Sequence, residues 1–353
     1  MTIPNIDINK IWPLPAVNTW RKSVHVFDEE TVYAIRAALA ADRPLLIRGE
    51  PGTGKSQLAR AAAVALGRQF LCHVVTAHTE IQDLWYRFDA VSRLGDAQIL
   101  GLGVKQQDES DNSGQKKTAE QKQEVTAESL LDPLKYLSPG IFWWAFDHLS
   151  ARQYSSNRSH QAYHPDGDDD TQWNNGVVLL IDEIDKSGSD LPNSLLETLD
   201  NGKFSVPWVD HPIGINMKTP NPLVIITTNE DRQLPGAFLR RCLVLELSLP
   251  EQEIEQRQEL IKRAAAHFDW DEAAIDHKRE VLNKVAKQLY EDRQLADRLG
   301  VTPPGQAEFL DILHVLSKLA DNNAGQLKLL DKIADFALKK FPDMKNKQGD
   351  SNT

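Results

Sequence analysis

Eight consecutive residues, Gly49-Glu50-Pro51-Gly52-Thr53-Gly54-Lys55-Ser56, have the types and order that a chain of phosphates requires. Glycines let backbone N–H groups turn inward in conformations that a side chain forbids. Lys55 is placed to reach β- and γ-phosphates, and the Ser56 hydroxyl to ligate Mg²⁺. Gln57 directly behind completes the candidate nucleotide-binding set. Much further along, the apolar run Val177-Val178-Leu179-Leu180-Ile181 ends in Asp182-Glu183. Beside a phosphate loop, Asp182 would hold Mg²⁺ through its water shell, together with Ser56, and Glu183 would polarise the attacking water. A second run, Leu223 to Thr228, ends in Asn229, whose amide could orient the same water. Arg240 and Arg241 stand just before a third run, where one of them could offer its charge to a phosphoryl group on a neighbouring subunit. A turn asparagine and solvated surface arginines are the plainer alternatives at those positions.

These side chains need a framework, and the pattern of the chain supplies one. Pro44-Leu45-Leu46-Ile47-Arg48 reads as a buried strand before the glycine loop. Ser56 to Leu66 is rich in alanine, reads as a helix behind the loop and is closed by Gly67. Phe70–Val75, Val177–Ile181, Leu223–Thr228 and Leu243–Leu247 read as further strands, and helical spacing runs from Asp28 through Val32, Ile35, Ala38 and Leu39. Buried parallel strands separated by helices make an α/β fold, with active-site groups at the carboxyl ends of the strands. After Pro250 the spacing turns wholly helical: 251–267, 271–292, 304–319 and 325–341. Residues 1–24, with Pro4, Pro13, Pro15, Trp12 and Trp20, read as an extended arm with aromatic anchors, and 342–353 as a disordered polar tail. Two polar insertions, about 104–130 and 155–175, are too poor in apolar residues to offset their ordering entropy, and the core of the first is expected to be mobile. Between them lies Ile141-Phe142-Trp143-Trp144-Ala145-Phe146, an apolar island that reads as core or subunit interface.

The bulk of the chain narrows the choice of function. Its 353 residues leave room for more than one domain. A net charge of −11 argues against a broad electrostatic grip on nucleic acid. Two cysteines, Cys72 and Cys242, exclude a disulfide framework and read as small core residues. No leader is visible and no apolar stretch is long enough to span a membrane, so a cytoplasmic location is the expectation. His160 and His164, beside Asp166, Asp168, Asp169 and Asp170, invite a metal reading. No HExxH frame accompanies them, and a calcium loop counted from Asp166 would put Val177 where a bidentate glutamate is needed.

The segments GEPGTGKS, VVLLIDEID, ITTNE and LPGAFLRRC together resemble an AAA+ ATPase, and within that superfamily most of all the MoxR-type group, over roughly residues 25–340. The resemblance implies a P-loop NTPase αβα core with a parallel sheet (25–248), followed by a smaller all-helical lid domain (249–341). It makes Lys55 and Ser56 the Walker A pair, Asp182 and Glu183 the Walker B pair, and Asn229 the sensor 1 residue. Arg241 becomes the arginine finger, ahead of Arg240. It implies ATP and Mg²⁺ as cofactors, a homo-oligomeric ring expected to be hexameric, and a protein partner carrying a von Willebrand factor A domain. Family members also insert structure after the second strand, here Thr79 to Leu94. They carry a hairpin before sensor 1, here a helix over 191–199 turning through Asp200-Asn201-Gly202 into Lys203–Val206. One departure stands out: the arginine of the lid's Ser-Pro-Arg-like motif is replaced by Pro304 in Thr302-Pro303-Pro304-Gly305, with Lys262, Arg263 and Arg298 as candidate substitutes. The reading is a protein-remodelling ATPase. Its rivals are a slow or non-hydrolysing nucleotide switch, which the missing arginine favours, and a nucleic-acid motor, which the acidic charge disfavours.

Overall fold

A computed structural model of the chain describes residues 5–17, 19–110, 131–156, 165 and 170–338. The chain opens with two antiparallel strands, β1 (Ile11–Leu14) and β2 (Ser23–Val26). The first half of the core follows as α1 (Glu29–Ala41), β3 (Leu45–Arg48), α2 (Lys55–Leu66) and β4 (Gln69–Val74). Next come α3 (Ile81–Trp85), β5 (Tyr86–Phe88), α4 (Ala90–Ser110), β6 (Leu137–Pro139), α5 (Ile141–Phe146), α6 (His148–Ser156) and α7 (Asp170–Asn174). The core closes with β7 (Val177–Asp182), α8 (Asp190–Asn201), β8 (Lys203–Phe204), β9 (Ile213–Gly214), β10 (Leu223–Thr228), α9 (Gly236–Arg241) and β11 (Leu243–Glu246). Four helices end the described chain: α10 (Glu253–Phe268), α11 (Glu272–Leu299), α12 (Gln306–Leu319) and α13 (Asn323–Ala337).

Five strands form one parallel sheet in the order β11-β3-β10-β7-β4. Successive side chains of a strand point to opposite faces, and the core divides accordingly. Leu45, Ile47, Val178, Leu180 and Ile225 pack on the face covered by α1, α2 and the β1–β2 hairpin. Leu46, Leu179, Ile181, Val224 and Ile226 pack on the other face, against α5 and α8. Strands buried on both faces are continuous apolar runs, which is why these were the clearest signals in the sequence. The C-terminal helices enclose a separate core around Leu260, Val285, Leu289, Phe309, Ile312 and Leu316. The fold is therefore the αβα sheet with a helical unit behind it.

Several local expectations change. The N-terminal arm is a hairpin, not a loose extended segment: Leu14 and Ile6 are buried, and β2 crosses the expected boundary at residue 24. The helix expected to stop at Asp292 runs on to Leu299 and is closed by Gly300 in the left-handed region (φ 66). The first polar insertion begins inside α4, whose backbone stays helical to Ser110; Gln, Asp and Glu propagate a helix already started upstream. Its remainder, 111–130, lies outside the described residues, as do 157–164, 166–169 and the tail 342–353. The second insertion ends in order, because Trp173 of α7 is buried against Trp144 and His148, and Asp170 pairs with Arg152 at 2.8 Å. The apolar island is core: all six residues of α5 are buried. The expected turn at Asp200-Asn201 is the last turn of α8, capped by Gly202 (φ 58). The β8–β9 hairpin that follows stacks on the insertion after β4, Trp85 on Phe204 (5.6 Å) and Phe88 on Trp208 (4.5 Å).

Candidate functional site

The glycine loop joins β3 to α2 at the carboxyl edge of the sheet. Gly49 passes so close to β11 that a Cβ there would stand 2.1 Å from the Leu247 carbonyl. Gly54 caps α2 in the left-handed region (φ 97), and nothing lies within 4 Å of where its Cβ would be. That open space sits in front of the first turn of a twelve-residue helix, whose N–H groups lack intrahelical partners and favour an anion. Lys55 is buried, and its ammonium donates to the carbonyls of Gly49 (2.7 Å) and Glu50 (2.8 Å). The Thr53 hydroxyl donates to the Glu50 carbonyl (2.9 Å). Burial lowers the Lys55 pKa, while the carboxylates of Asp182, Asp185, Glu183 and Asp231 pull it back up.

The register of the sheet brings the second part of the site alongside. Ile226 lies opposite Ile181, so Thr227 faces Asp182. The Thr227 and Ser56 hydroxyls both donate to Asp182 Oδ1, at 2.6 and 2.7 Å. Thr227 Oγ1 also accepts from the backbone N–H of Glu183 (2.9 Å), which fixes where that residue leaves the strand. Glu183 takes a left-handed conformation (φ 59), costly for a residue with a Cβ and typical of functional sites. Its carboxylate pairs with Lys186, and that hydrogen bond raises the Lys186 pKa. Asp185, buried, accepts from the backbone of Asn229 (3.1 Å) and Asp231 (3.0 Å), and so holds the loop beyond β10.

These groups line one cleft of about 300 Å³: Lys55, Ser56, Asp182, Glu183, Thr227 and Asn229 from the core, and Gln306, Ala307 and Leu310 from α12. Trp20 lines it as well. A second pocket shares Gly54, Gln57, Gln306 and Leu310 with the first and runs between β2 and α10, lined by Val24, Val26, Leu58, Ala266 and His267. His25 lies in it with its pKa pushed down to about 4, by burial first and by the charge of Arg263 second, so this imidazole is neutral. Gln57 reaches across to donate to the Val24 carbonyl (2.6 Å). A charged cleft joined to a largely apolar pocket suits a phosphorylated nucleoside. The donor set fits a Mg²⁺–triphosphate as well: two hydroxyls on one carboxylate oxygen beside a buried lysine and a helix N-terminus.

The expected arginines are elsewhere. Leu243 pairs with Leu45, so Arg241 sits at the amino end of the sheet, opposite the glycine loop. It binds Asp200 (2.6 Å) and the Ala237 carbonyl (3.2 Å), while Arg43 bonds the backbone carbonyls of Arg240 and Arg241. Neither Arg240 nor Arg241 lines the cleft of its own chain. Nor do the three proposed lid substitutes. Lys262 faces the outer side of α10, Arg263 binds Glu259 and Gln306 beside the second pocket, and Arg298 is exposed. The residue sequence reasoning missed is Arg293: from α11 it pairs with Glu50 of the loop at 2.7 Å. Its signal was its place on the apolar face of α11, in helical step with Val285, Leu289 and Ala296. Thr227, Asp185 and Lys186 carried no signal beyond sitting next to predicted residues. Cys72 and Cys242 keep unpaired thiols, pushed up to about 12 by burial, as core residues should. Among the described residues no cluster of His, Cys, Asp and Glu could hold a metal by itself, and His160 and His164 lie outside them. No described helix is long and apolar enough to cross a membrane.

A parallel sheet carrying a glycine loop, a strand-end Asp-Glu and a following helical unit defines a P-loop nucleotide-binding protein. The chain belongs to the AAA domain family, dynein-related subfamily, whose model matches residues 44–100 and 117–242, more than half of its length. It is 37% identical over 94 residues to a mitochondrial Lon protease homolog of Phaeodactylum tricornutum, covering 25% of this chain and 10% of that protein. It is 34% identical over 119 residues to a Lon protease of Geobacter metallireducens, covering 32% of this chain and 14% of that protein. The chain thus spans a small fraction of the curated relatives it matches. A solved structure of a candidate ATPase from Cytophaga hutchinsonii overlaps 87% of this chain and 79% of its own at 13% identity, with a TM-score of 0.35, too loose to bear on function. Family membership supports an ATPase.

Proposed function

We propose that the chain binds Mg-ATP in this cleft and hydrolyses it, within a ring that remodels or activates a protein partner. The observation that carries the chemistry is the convergence of Ser56 and Thr227 on Asp182 beside Lys55. Lys55 would exchange the loop carbonyls for β- and γ-phosphate oxygens, and Ser56 and Asp182 would hold Mg²⁺. When bound, Mg²⁺ would supply positive charge against the phosphoryl group. Glu183, fixed by the Thr227 bond, orients and deprotonates water, with the Asn229 amide alongside. Arg241, with Arg240 as the alternate, works in trans. Its station at the opposite end of the sheet supports a finger that serves a neighbour's site, hence a closed ring, taken as hexameric. The MoxR-type assignment, and a partner bearing a von Willebrand factor A domain, rest on the sequence resemblance. Remodelling would follow from motion of α10–α13 against the core as the nucleotide changes.

A second reading is a nucleotide-gated switch with little turnover. It is favoured by the Glu183–Lys186 pair, which engages the proposed base, and by Pro304 in place of the lid arginine. Steady-state ATP hydrolysis by wild type and Glu183→Gln, measured across protein concentration with mass photometry alongside, separates the two. The expected result is activity that rises with assembly and falls on the order of 10²-fold or more in Glu183→Gln, the usual worth of a positioned base. ATP-dependent assembly without turnover in either protein would instead establish the switch.

A further inference from the structure

The helical unit touches the glycine loop at one place, and an arginine sits there. Arg293 is almost fully buried in α11. One arm of its guanidinium meets the Glu50 carboxylate at 2.7 Å and the other donates to the Pro304 carbonyl at 2.9 Å. Just beyond Pro304 the chain lies flush on the loop, since a Cβ at Gly305 would stand 3.0 Å from the Pro51 carbonyl. Glu308 in the first turn of α12 accepts from the Gly305 N–H (2.9 Å) and would stand 3.4 Å from a Cβ on Gly52. The same turn supplies Gln306 and Ala307 to the phosphate cleft. Arg293 therefore ties three things with one rigid fork: helix α11, the entrance to α12, and the loop that would cradle the phosphates.

We infer that Arg293 is the positioning residue that couples the lid to the phosphate loop in this chain, acting through Glu50 and the Pro304 carbonyl. The inference rests on reading the cleft as a nucleotide site. Its physical basis is charge as well as shape. Glu50 belongs to the loop, and Lys55 is engaged with backbone carbonyls, so Arg293 is what neutralises the Glu50 carboxylate. Without it a bare carboxylate would remain beside the phosphates, and α12 would lose its register on the loop. The proline at position 304 then has a use: its carbonyl is a fixed acceptor for the second arm.

The test uses the full chain as wild type, Arg293→Met, Arg293→Lys, Glu50→Gln and the Arg293→Met/Glu50→Gln double variant, with two readouts. Without nucleotide, hydrogen exchange should quicken in Arg293→Met at residues 50–54 and 305–308, and not in the distal turns of α12; Arg293→Lys should retain part of the protection. With Mg-ATP, Arg293→Met should raise KM roughly ten- to a hundredfold, the cost of leaving a charged group without its partner, with kcat moving less. Glu50→Gln in that background should recover affinity by removing the stranded charge. Unchanged local exchange together with unchanged KM in Arg293→Met would overturn the inference, as would faster exchange spread evenly through α10–α13. If the wild type bound no nucleotide, the functional reading would fail, and the exchange experiment would still decide the coupling.

Discussion

At the carboxyl ends of β3, β7 and β10, an ammonium, two hydroxyls and two carboxylates meet in one cleft, whereas at the amino ends of β3 and β11 two arginines are held away from it. The four-residue length of β11 separates the groups, about 13 Å on the usual strand rise. The two ends are also built differently. Around Asp182 the bonds are short, internal and buried, and each holds the next. Around Arg241 the partner is Asp200, and both side chains are nearly half exposed. Such a pair contributes under about 1 kcal/mol, so Arg241 is oriented without being trapped. One end is a closed network of buried bonds, and the other is a single half-exposed ion pair.

The sharpest way to break this comparison is at Arg241. Arg241→Ala should keep nucleotide affinity while turnover falls on the order of 10³-fold, and wild-type subunits should restore it only through mixed interfaces. Normal turnover by a dispersed Arg241→Ala monomer would place the arginine outside the chemistry. A smaller effect is expected at Thr227, which touches the reacting groups only through Asp182 and Glu183. Thr227→Val removes one of the two hydroxyl donors to Asp182 Oδ1 and leaves the half-buried Glu183 N–H without its acceptor, at a cost of about 1–3 kcal/mol. It should lower kcat roughly tenfold or more with a modest fall in Tm; Thr227→Ser should behave as wild type. Equal kinetics for valine and serine at this position would mean that the shared hydroxyl does not organise the site.

The smallest effect belongs to His25, on the apolar side of the cleft. Its folded pKa of about 4 lies below the ordinary 6.5, so protons bind the unfolded chain more tightly. Its contribution to stability is complete above pH 6.5 and is lost as the pH falls toward 4. Thermal unfolding across that window should show a flatter pH dependence in His25→Gln than in wild type, and parallel curves would show that the imidazole is not buried neutral.

Legibility in the sequence followed the length scale of each interaction. Val177 to Asp182 and Leu223 to Thr228 are buried on both faces and announce themselves as apolar runs. The glycine loop is contiguous, so its chemistry is written in order. Asp182 and Thr227 meet only through strand register, which no local pattern encodes. Arg293 was hidden for a related reason. The helix was expected to stop one residue before it, and its partner Glu50 lies on the far side of the molecule's sequence. Trp173 was concealed by composition, one aromatic anchor at the end of a polar stretch. Arg241 was placed correctly just before β11, and a residue that precedes a parallel strand lies at the amino end of the sheet; what the order of the chain does not give is its partner, Asp200.

The N-terminal hairpin is held to the helix behind the phosphate loop in an unusual currency. Gln57 bonds the carbonyl of Val24, and Arg60 bonds the carbonyls of Leu14 and Pro15. Most of what α2 grips is the path of the backbone; the side chains it meets through Arg60 are the Ser23 hydroxyl (3.3 Å) and the Trp20 ring (6.0 Å). In evolutionary terms the hairpin is free to drift in sequence away from Trp20 and Ser23, provided its buried residues stay apolar and its strands stay in register. Relatives could therefore preserve this contact while showing almost no recognisable similarity in their first two dozen positions.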